Sequence, residues 1–344
     1  MKKTFIAFLS VAFALGFVSC QKEQTVVVPI DGDTTPAVPT EPTYQEGVYA
    51  PLLKIASIER DDDETVETWN WTGEQLTSVT SNSGASRQFT YSNGRLSQVT
   101  GSMTNLFGVI PGIAGNVSFT YNGTLFKNCT VTSDGTDVVL ATFGHADNRV
   151  SSIDIALDAE YISEMLNDMI TGGMGKSIDP KQITLSEADN SIHADLTWTD
   201  KNVTAMTMSG SIPFDLTKET FQALRPYLPI DSSMLRMIDF YFMVANSIPM
   251  QIDIVDTLTY TYDNKINPFY CYMGEVTPSN LSLNNVLSSS NYGTIAISVS
   301  LGSSTTPVYT QPIDQRSVYF YQYNDRNYPI LVEGSDNYTI TYKQ

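Results

Sequence analysis

The chain has 344 residues, of which 42% are hydrophobic and only 16% charged, and its net charge is −18. That much apolar material can build a sizeable core and excludes a disordered chain. An acidic balance without any basic cluster excludes nucleic acid as a partner, because binding phosphates needs a positive footprint.

Lys2 and Lys3 precede an apolar run, residues 4–18, that ends at Ser19-Cys20. A charged start followed by such a run reads as an export signal, too short and too close to the N-terminus for a permanent span. A cysteine after a small residue at the end of the run resembles the lipobox of bacterial lipoproteins. The family prefers Leu three residues before the cysteine and a small residue next to it, where this chain has Phe17 and Val18. The resemblance implies removal of a signal peptide, 1–19, and lipidation of Cys20, so that the membrane is a partner through the lipid anchor. Lys22-Glu23 resembles the short charged signal that directs Bacteroidota lipoproteins to the cell surface.

From Cys20 to Gly47 the sequence has Pro29, Pro36, Pro39 and Pro42 among Thr, Val and acidic residues, with no sustained period. Proline favours extended backbone, so 20–47 reads as a tether. Asp31-Gly32-Asp33 opens like a calcium loop, but the remaining ligands and the distal Glu of that pattern are missing. The folded body is expected to be one domain, 48–344, since no second linker interrupts it and one pattern recurs on both sides of every candidate boundary.

That pattern is clearest between Trp69 and Thr100. Trp71, Leu76 and Val79 are spaced like Tyr91, Leu96 and Val99, with turn-rich intervals Thr72-Gly73-Glu74-Gln75 and Ser92-Asn93-Gly94-Arg95. Trp69 and Trp71 alternate with Thr68, Asn70 and Thr72, as Phe89 and Tyr91 do with Gln88 and Thr90. Each copy reads as a β-hairpin with one apolar face. Phe119 to Leu125 and Trp198 to Met206 are further copies, and Phe143 to Ile153 is a looser one. Tyr260 to Phe269 and Tyr321 to Ile330 contain Pro268 and Pro329. A proline lacks a ladder donor, so those second strands should begin at the proline or lie at an edge. One hairpin cannot bury its aromatic face alone, so the copies must pair side by side. The expected fold is mainly β: an antiparallel meander of repeated hairpins curling into a barrel-like, water-soluble sheet with a few inserted helices. Trp71, Tyr91, Tyr121, Trp198 and Tyr262 are expected inside, and Thr68 and Thr90 outside.

The insertions read as helices. Tyr161, Ile162, Met165, Leu166, Met169 and Ile170 recur at helical spacing between Asp158 and Gly172-Gly173. A second segment runs from Thr217 towards Pro226 with Phe221 and Leu224 inward, and a third from Met234 to Asn246 after Asp231-Ser232-Ser233. The third is apolar on nearly every side. Its length, with Arg236 and Asp239, argues against a membrane span and for burial at the mouth or inside of a curved sheet.

Chemistry-bearing residues are few. Asp61-Asp62-Asp63-Glu64 reads as a solvated acidic loop. Beside Cys20 there are only Cys129 and Cys271, which either form one disulfide or remain buried thiols; no framework of spacings decides. His145 and His193 each lack a neighbouring Cys, His or Glu at metal spacing. With no nucleophile elbow, zinc helix or phosphate loop, the expectation is no catalytic residue, no metal site and no cofactor. Trp69, Trp71 and Trp198 could stack on sugars, but their alternation assigns them to the core.

The stretch Phe89-Thr90-Tyr91-Ser92-Asn93-Gly94-Arg95-Leu96 resembles the tyrosine-aspartate (YD) repeat of bacterial surface shells. Tyr260 to Phe269 is similar to a signature of gut Bacteroidota lipoproteins, a family with a porin-like fold and no assigned activity. The resemblance runs from about Val48 to the end and implies a sheet rolled into a barrel-like shape. A true membrane barrel would turn its apolar face to lipid; short strands, a Thr/Ser/Asn-rich polar face and apolar insertions point to the opposite orientation. The function expected is that of an outer-membrane lipoprotein, facing the periplasm or the cell surface. It would serve as a binding or adhesion module with glycan or protein ligands, not as an enzyme. A structural envelope component and a carbohydrate-active hydrolase are the alternatives. A ligand would be sought at the mouth of the rolled sheet beside Met234 to Asn246.

Overall fold

The computed structural model describes residues 41–343 except 62–64, 103–104, 107–109, 112–113, 159, 161–182, 186–190, 226–231, 302–303 and 336. Cys20, most of the tether and the expected helix from Tyr161 to Ile170 lie outside the described residues.

The strands, in chain order, are β1 (Ile55–Arg60), β2 (Val66–Thr72), β3 (Gln75–Ser81), β4 (Ser86–Ser92), β5 (Arg95–Ser102), β6 (Asn105–Leu106) and β7 (Ile110–Pro111). Then come β8 (Ala114–Asn122), β9 (Leu125–Ser133), β10 (Thr136–Ala146), β11 (Arg149–Leu157), β12 (Ile183–Leu185), β13 (Ser191–Thr199) and β14 (Asn202–Thr217). Two short helices, α1 (Lys218–Leu224) and α2 (Ser232–Tyr241), precede β15 (Ser247–Ile266). The last strands are β16 (Asn284–Leu301), β17 (Ser304–Val318), β18 (Phe320–Tyr323), β19 (Pro329–Glu333) and β20 (Tyr338–Tyr342).

All but β6 and β7 join one antiparallel sheet. Neighbours follow chain order from β8 to β11, and β13 to β17 continue the meander. β20 pairs back onto β1, and β1 onto β2. β17 runs into β18 alongside β16, where Tyr319 N–H donates to the Leu287 carbonyl at 2.9 Å. Because β18 pairs β19 and β19 pairs β20, the sheet nearly closes on itself; its slightest seam is Leu331↔Thr339 and Val332↔Tyr338. The wall is uneven. β14 to β17 are 15 to 20 residues long, while β18 to β20 are only 4 or 5.

The apolar face points inward, the orientation expected from the polar face and the inserted segments. Trp69, Leu76, Val79, Phe89, Leu96 and Val99 are buried, whereas Thr68, Thr80, Thr90 and Thr100 are exposed. No described helix is long and apolar enough to cross a membrane.

The repeat has a physical basis that sequence spacing alone does not show. In each hairpin the pre-turn residue pairs with the first apolar residue after the turn, and the next residue is a β-bulge. Trp71↔Leu76 is followed by Asn70↔Ser78, leaving Thr77 unpaired, and Tyr91↔Leu96 by Thr90↔Gln98, leaving Ser97 unpaired. Thr77 and Ser97 hydroxyls donate to the carbonyls of Asn70 and Thr90, both at 3.0 Å. The bulge interrupts the ladder, so the carbonyl before it needs another donor. The aromatic residue of the following hairpin supplies it. Tyr91 Oη donates to Leu76 O, Tyr121 to Leu96 O, Trp198 Nε1 to Val150 O and Tyr262 Oη to Val203 O. Trp71 Nε1, Tyr321 Oη and Tyr342 Oη make the same kind of bond to Ile55, Val286 and Pro329.

This use of their polar tips corrects one expectation. Trp71, Tyr91, Tyr121, Trp198 and Tyr262 are half-buried at the turn end of the barrel, and fully inward positions belong to residues two earlier, such as Trp69, Phe89 and Phe119. The two proline hairpins also diverge. Pro329 opens β19 as expected, but Pro268 opens no strand: after Ile266 the chain leaves the sheet and fills the barrel until Asn284. Tyr272, Met273, Val276 and Leu281 of this plug are buried, Tyr272 with its ring 4.9 Å from Trp69.

The helices sit where the long strands end. Thr217 caps α1, its hydroxyl accepting from Thr220 N–H at 3.3 Å. Phe221 and Phe242 pack with ring centroids 5.4 Å apart, and Ile238 is fully buried. The expected helix from Met234 to Asn246 is shorter, and it is buried along one side only: Phe240, Met243 and Val244 are exposed. The expected burial therefore holds for one side only: the solvent side carries Ser232, Ser233 and Arg236 together with apolar Met237 and Phe240, and Asp239 pairs with Arg225 at 2.9 Å.

Candidate functional site

A chamber of about 310 Å³ lies between the plug and the low wall formed by β18 to β20, β1 and β2. That size lies at the lower end of the range for small-molecule sites, about 300–1,000 Å³. Its walls include Ile58 and Arg60 from β1, Glu67 and Trp69 from β2, Tyr260 from β15, Tyr319 at the junction of β17 and β18, Tyr321 from β18 and Tyr338 from β20. The plug contributes Asn267, Pro268, Phe269, Tyr272 and Glu275.

Two glutamates share one guanidinium at the chamber. Arg87 Nη2 meets Glu67 Oε1 at 3.1 Å and Nη1 meets Glu275 Oε1 at 3.0 Å. The arginine is buried, so an unpaired charge there would be costly, and the two carboxylates offset its desolvation. Burial lowers the guanidinium pKa, but Tyr272 and the two glutamates outweigh it and push it above its ordinary value. Arg60 stacks on Tyr338, 5.5 Å from ring centre. Tyr260 is held neutral far above its ordinary range, chiefly by burial and then by Tyr262. Trp69 Nε1 and Tyr272 Oη, on two lining residues, have no hydrogen-bond partner among the described residues.

A second polar cluster seals the turn end. Glu46, 3% exposed, accepts from Phe126 N–H, from Tyr44 Oη at 3.1 Å and from His145 Nε2 at 3.1 Å. His145 occupies the clasp position of its hairpin, and its ring meets Glu46, which also accepts from the Phe126 N–H. Leu96 N–H finds Gly47 O at 2.8 Å, and Val203 N–H finds Ser282 Oγ at 2.9 Å. The stretch read as the end of the tether therefore packs into the barrel at Tyr44 to Val48.

Of the residues singled out by sequence, Trp69 lines the chamber, while Trp71 and Trp198 serve as clasps at the turn end. His193 lies on the outer surface between Asp154 at 2.6 Å and Asp195 at 3.2 Å. Among the described residues no group of three His, Cys, Asp or Glu could hold a metal ion. Cys129 and Cys271 are buried free thiols, which decides the question their spacing left open. Arg87, Glu67 and Glu275 escaped sequence reading; a charge at an inward position of an alternating strand was the available signal for Glu67 and Arg87, and Glu275, in the plug, had none.

No protein-family model matches the chain, and no curated protein matches it. Among solved structures it is similar to a porin-like protein from Bacteroides uniformis, at 12% identity over 87% of this chain and all of that one, with a TM-score of 0.21. So remote a likeness leaves the assignment to the residues.

Proposed function

We propose that the chain is an envelope lipoprotein, held by acyl groups on Cys20, whose body binds a small hydroxylated ligand such as a glycan in the barrel chamber. The observation that carries this reading is the chamber itself. It combines aromatic walls with a few convergent polar groups, the usual make-up of a ligand site. Strands β1, β2, β15 and β16 supply part of its wall, and the plug supplies the rest of its polar and aromatic lining.

The reading is one of binding without catalysis. A carboxylate pair that cleaves glycosides needs one acid to hand over a proton, and Glu67 and Glu275 both accept from Arg87 instead. The test is calorimetry of the soluble Cys20→Ala chain with a panel of host and dietary glycans, while assaying for released products. Binding without turnover supports the reading. Sustained product release lost on changing Glu67 or Glu275 would make it a hydrolase, and no binding at all would favour a structural role in the envelope.

A further inference from the structure

The charge and shape of the chamber narrow its ligand further, on the reading that the chamber is the binding site. We infer that it takes the terminal unit of a neutral glycan, entering end-on.

Shape gives the first half. The floor is formed by Asn267, Pro268 and Phe269, and these are bonded into the surrounding structure. Tyr49 Oη donates to Pro268 O at 2.7 Å, Asn267 N–H to Leu283 O at 2.8 Å, and Asn267 Nδ2 to the carbonyls of Ser279 and Ser282 at 2.9 and 3.0 Å. Beyond the floor, the turn end is closed by the Glu46 cluster and by Leu283 N–H bonded to Lys201 O at 3.2 Å. A polymer cannot thread through such a space. About 310 Å³ accommodates one or two rings, so an end of a chain enters and its interior does not.

Charge gives the second half. The charged lining residues are Arg60, Arg87, Glu67 and Glu275, so the walls sum to zero. Arg87 is committed to both glutamates and offers little to an anionic sugar. A chain of net charge −18 also repels anions at long range. A cationic sugar would meet Arg60 as well as two glutamates that already accept from Arg87. A neutral sugar avoids both penalties: its hydroxyls donate to carboxylate oxygens and accept from arginine, and its apolar ring face packs on tyrosine. Tyr319 and Tyr321 from the low wall and Tyr338 beside Arg60 present those rings.

The experiment compares, on the soluble Cys20→Ala chain, neutral oligosaccharides with uronic-acid and amino-sugar analogues, and linear with cyclic oligomers of the same sugar. Three variants accompany it. Ser289, on β16, lines the chamber, so Ser289→Trp fills it, while Glu275→Gln removes a carboxylate and Tyr319→Leu removes a ring; unfolding curves confirm that each folds. Neutral linear oligomers should bind, charged and cyclic ones at least tenfold more weakly. Glu275→Gln and Tyr319→Leu should weaken binding about tenfold or more, and Ser289→Trp should abolish it. Tight binding that survives Ser289→Trp in a folded chain, or no binding by any probe, overturns the chamber as the site and this inference with it. Binding that Ser289→Trp abolishes, with charged or cyclic probes bound as well as neutral linear ones, overturns the inference alone.

Discussion

Tyr91 Oη donates to the Leu76 carbonyl at 2.9 Å, tying the second hairpin to the bulge of the first. The same bond recurs from Tyr121 to Leu96, so each aromatic residue completes the backbone of the hairpin before it. The repeat in the sequence is therefore a repeat of a clasp, not only of a buried ring. Tyr91→Phe keeps the ring and deletes the donor, and should cost about 1 kcal/mol, within the usual range for one hydrogen bond. Trp69→Ala, which empties a fully inward site, should cost about 3–5 kcal/mol. Urea denaturation of both variants checks the order; an unchanged stability of Tyr91→Phe would mean that the tyrosine tip contributes nothing.

Sheet orientation can be tested from the outside. Thr90 is exposed on the face opposite Phe89, so Thr90→Lys should change stability by no more than about 0.5 kcal/mol. Phe89→Lys at the buried neighbour should unfold the body. A membrane barrel with the apolar face outward would show the reverse tolerance.

His193 should give stability a shallow pH dependence. Its hydrogen bond to Asp154 raises its pKa above the ordinary 6.5, against the opposing effect of burial and with a lesser contribution from Asp195. A raised folded-state pKa means the contribution is fully present below pH 6.5 and fades as pH rises through the folded value. The site is exposed, so the effect is small. An NMR titration of the two histidines should find His193 titrating above 6.5, and Asp154→Asn should bring it back down.

Cys129 and Cys271 should resist thiol reagents in the native chain. Burial pushes the Cys271 thiol up to about 12 and Cys129 higher still, and both are inaccessible. In the Cys20→Ala chain, unfolding should release two reactive thiols; a native disulfide would leave none without reductant.

Membrane attachment should depend on Cys20 alone. Substituting Cys20→Ala and fractionating cells should move the protein out of the salt-washed membrane pellet. Retention of the variant in that pellet would show that the anchor lies elsewhere.

The fold class and the repeat could be read from the residues alone, because alternation and hairpin turns are local. Asn93-Gly94, for example, takes the two positive φ angles, 52° and 77°, that a tight two-residue turn requires. The sequence also placed α1, whose cap and buried Phe221 lie within five residues of each other. The tertiary structure alone decided what fills the barrel. Residues 267–283 look like a broken hairpin until ring closure surrounds them with inward-facing side chains that need a partner. Glu46 and His145 are 99 positions apart, and Arg87 and Glu275 are 188 apart. No period or motif links such residues. They meet because a meander that nearly closes on itself brings remote strands to one interior, where a buried charge must find its counterpart.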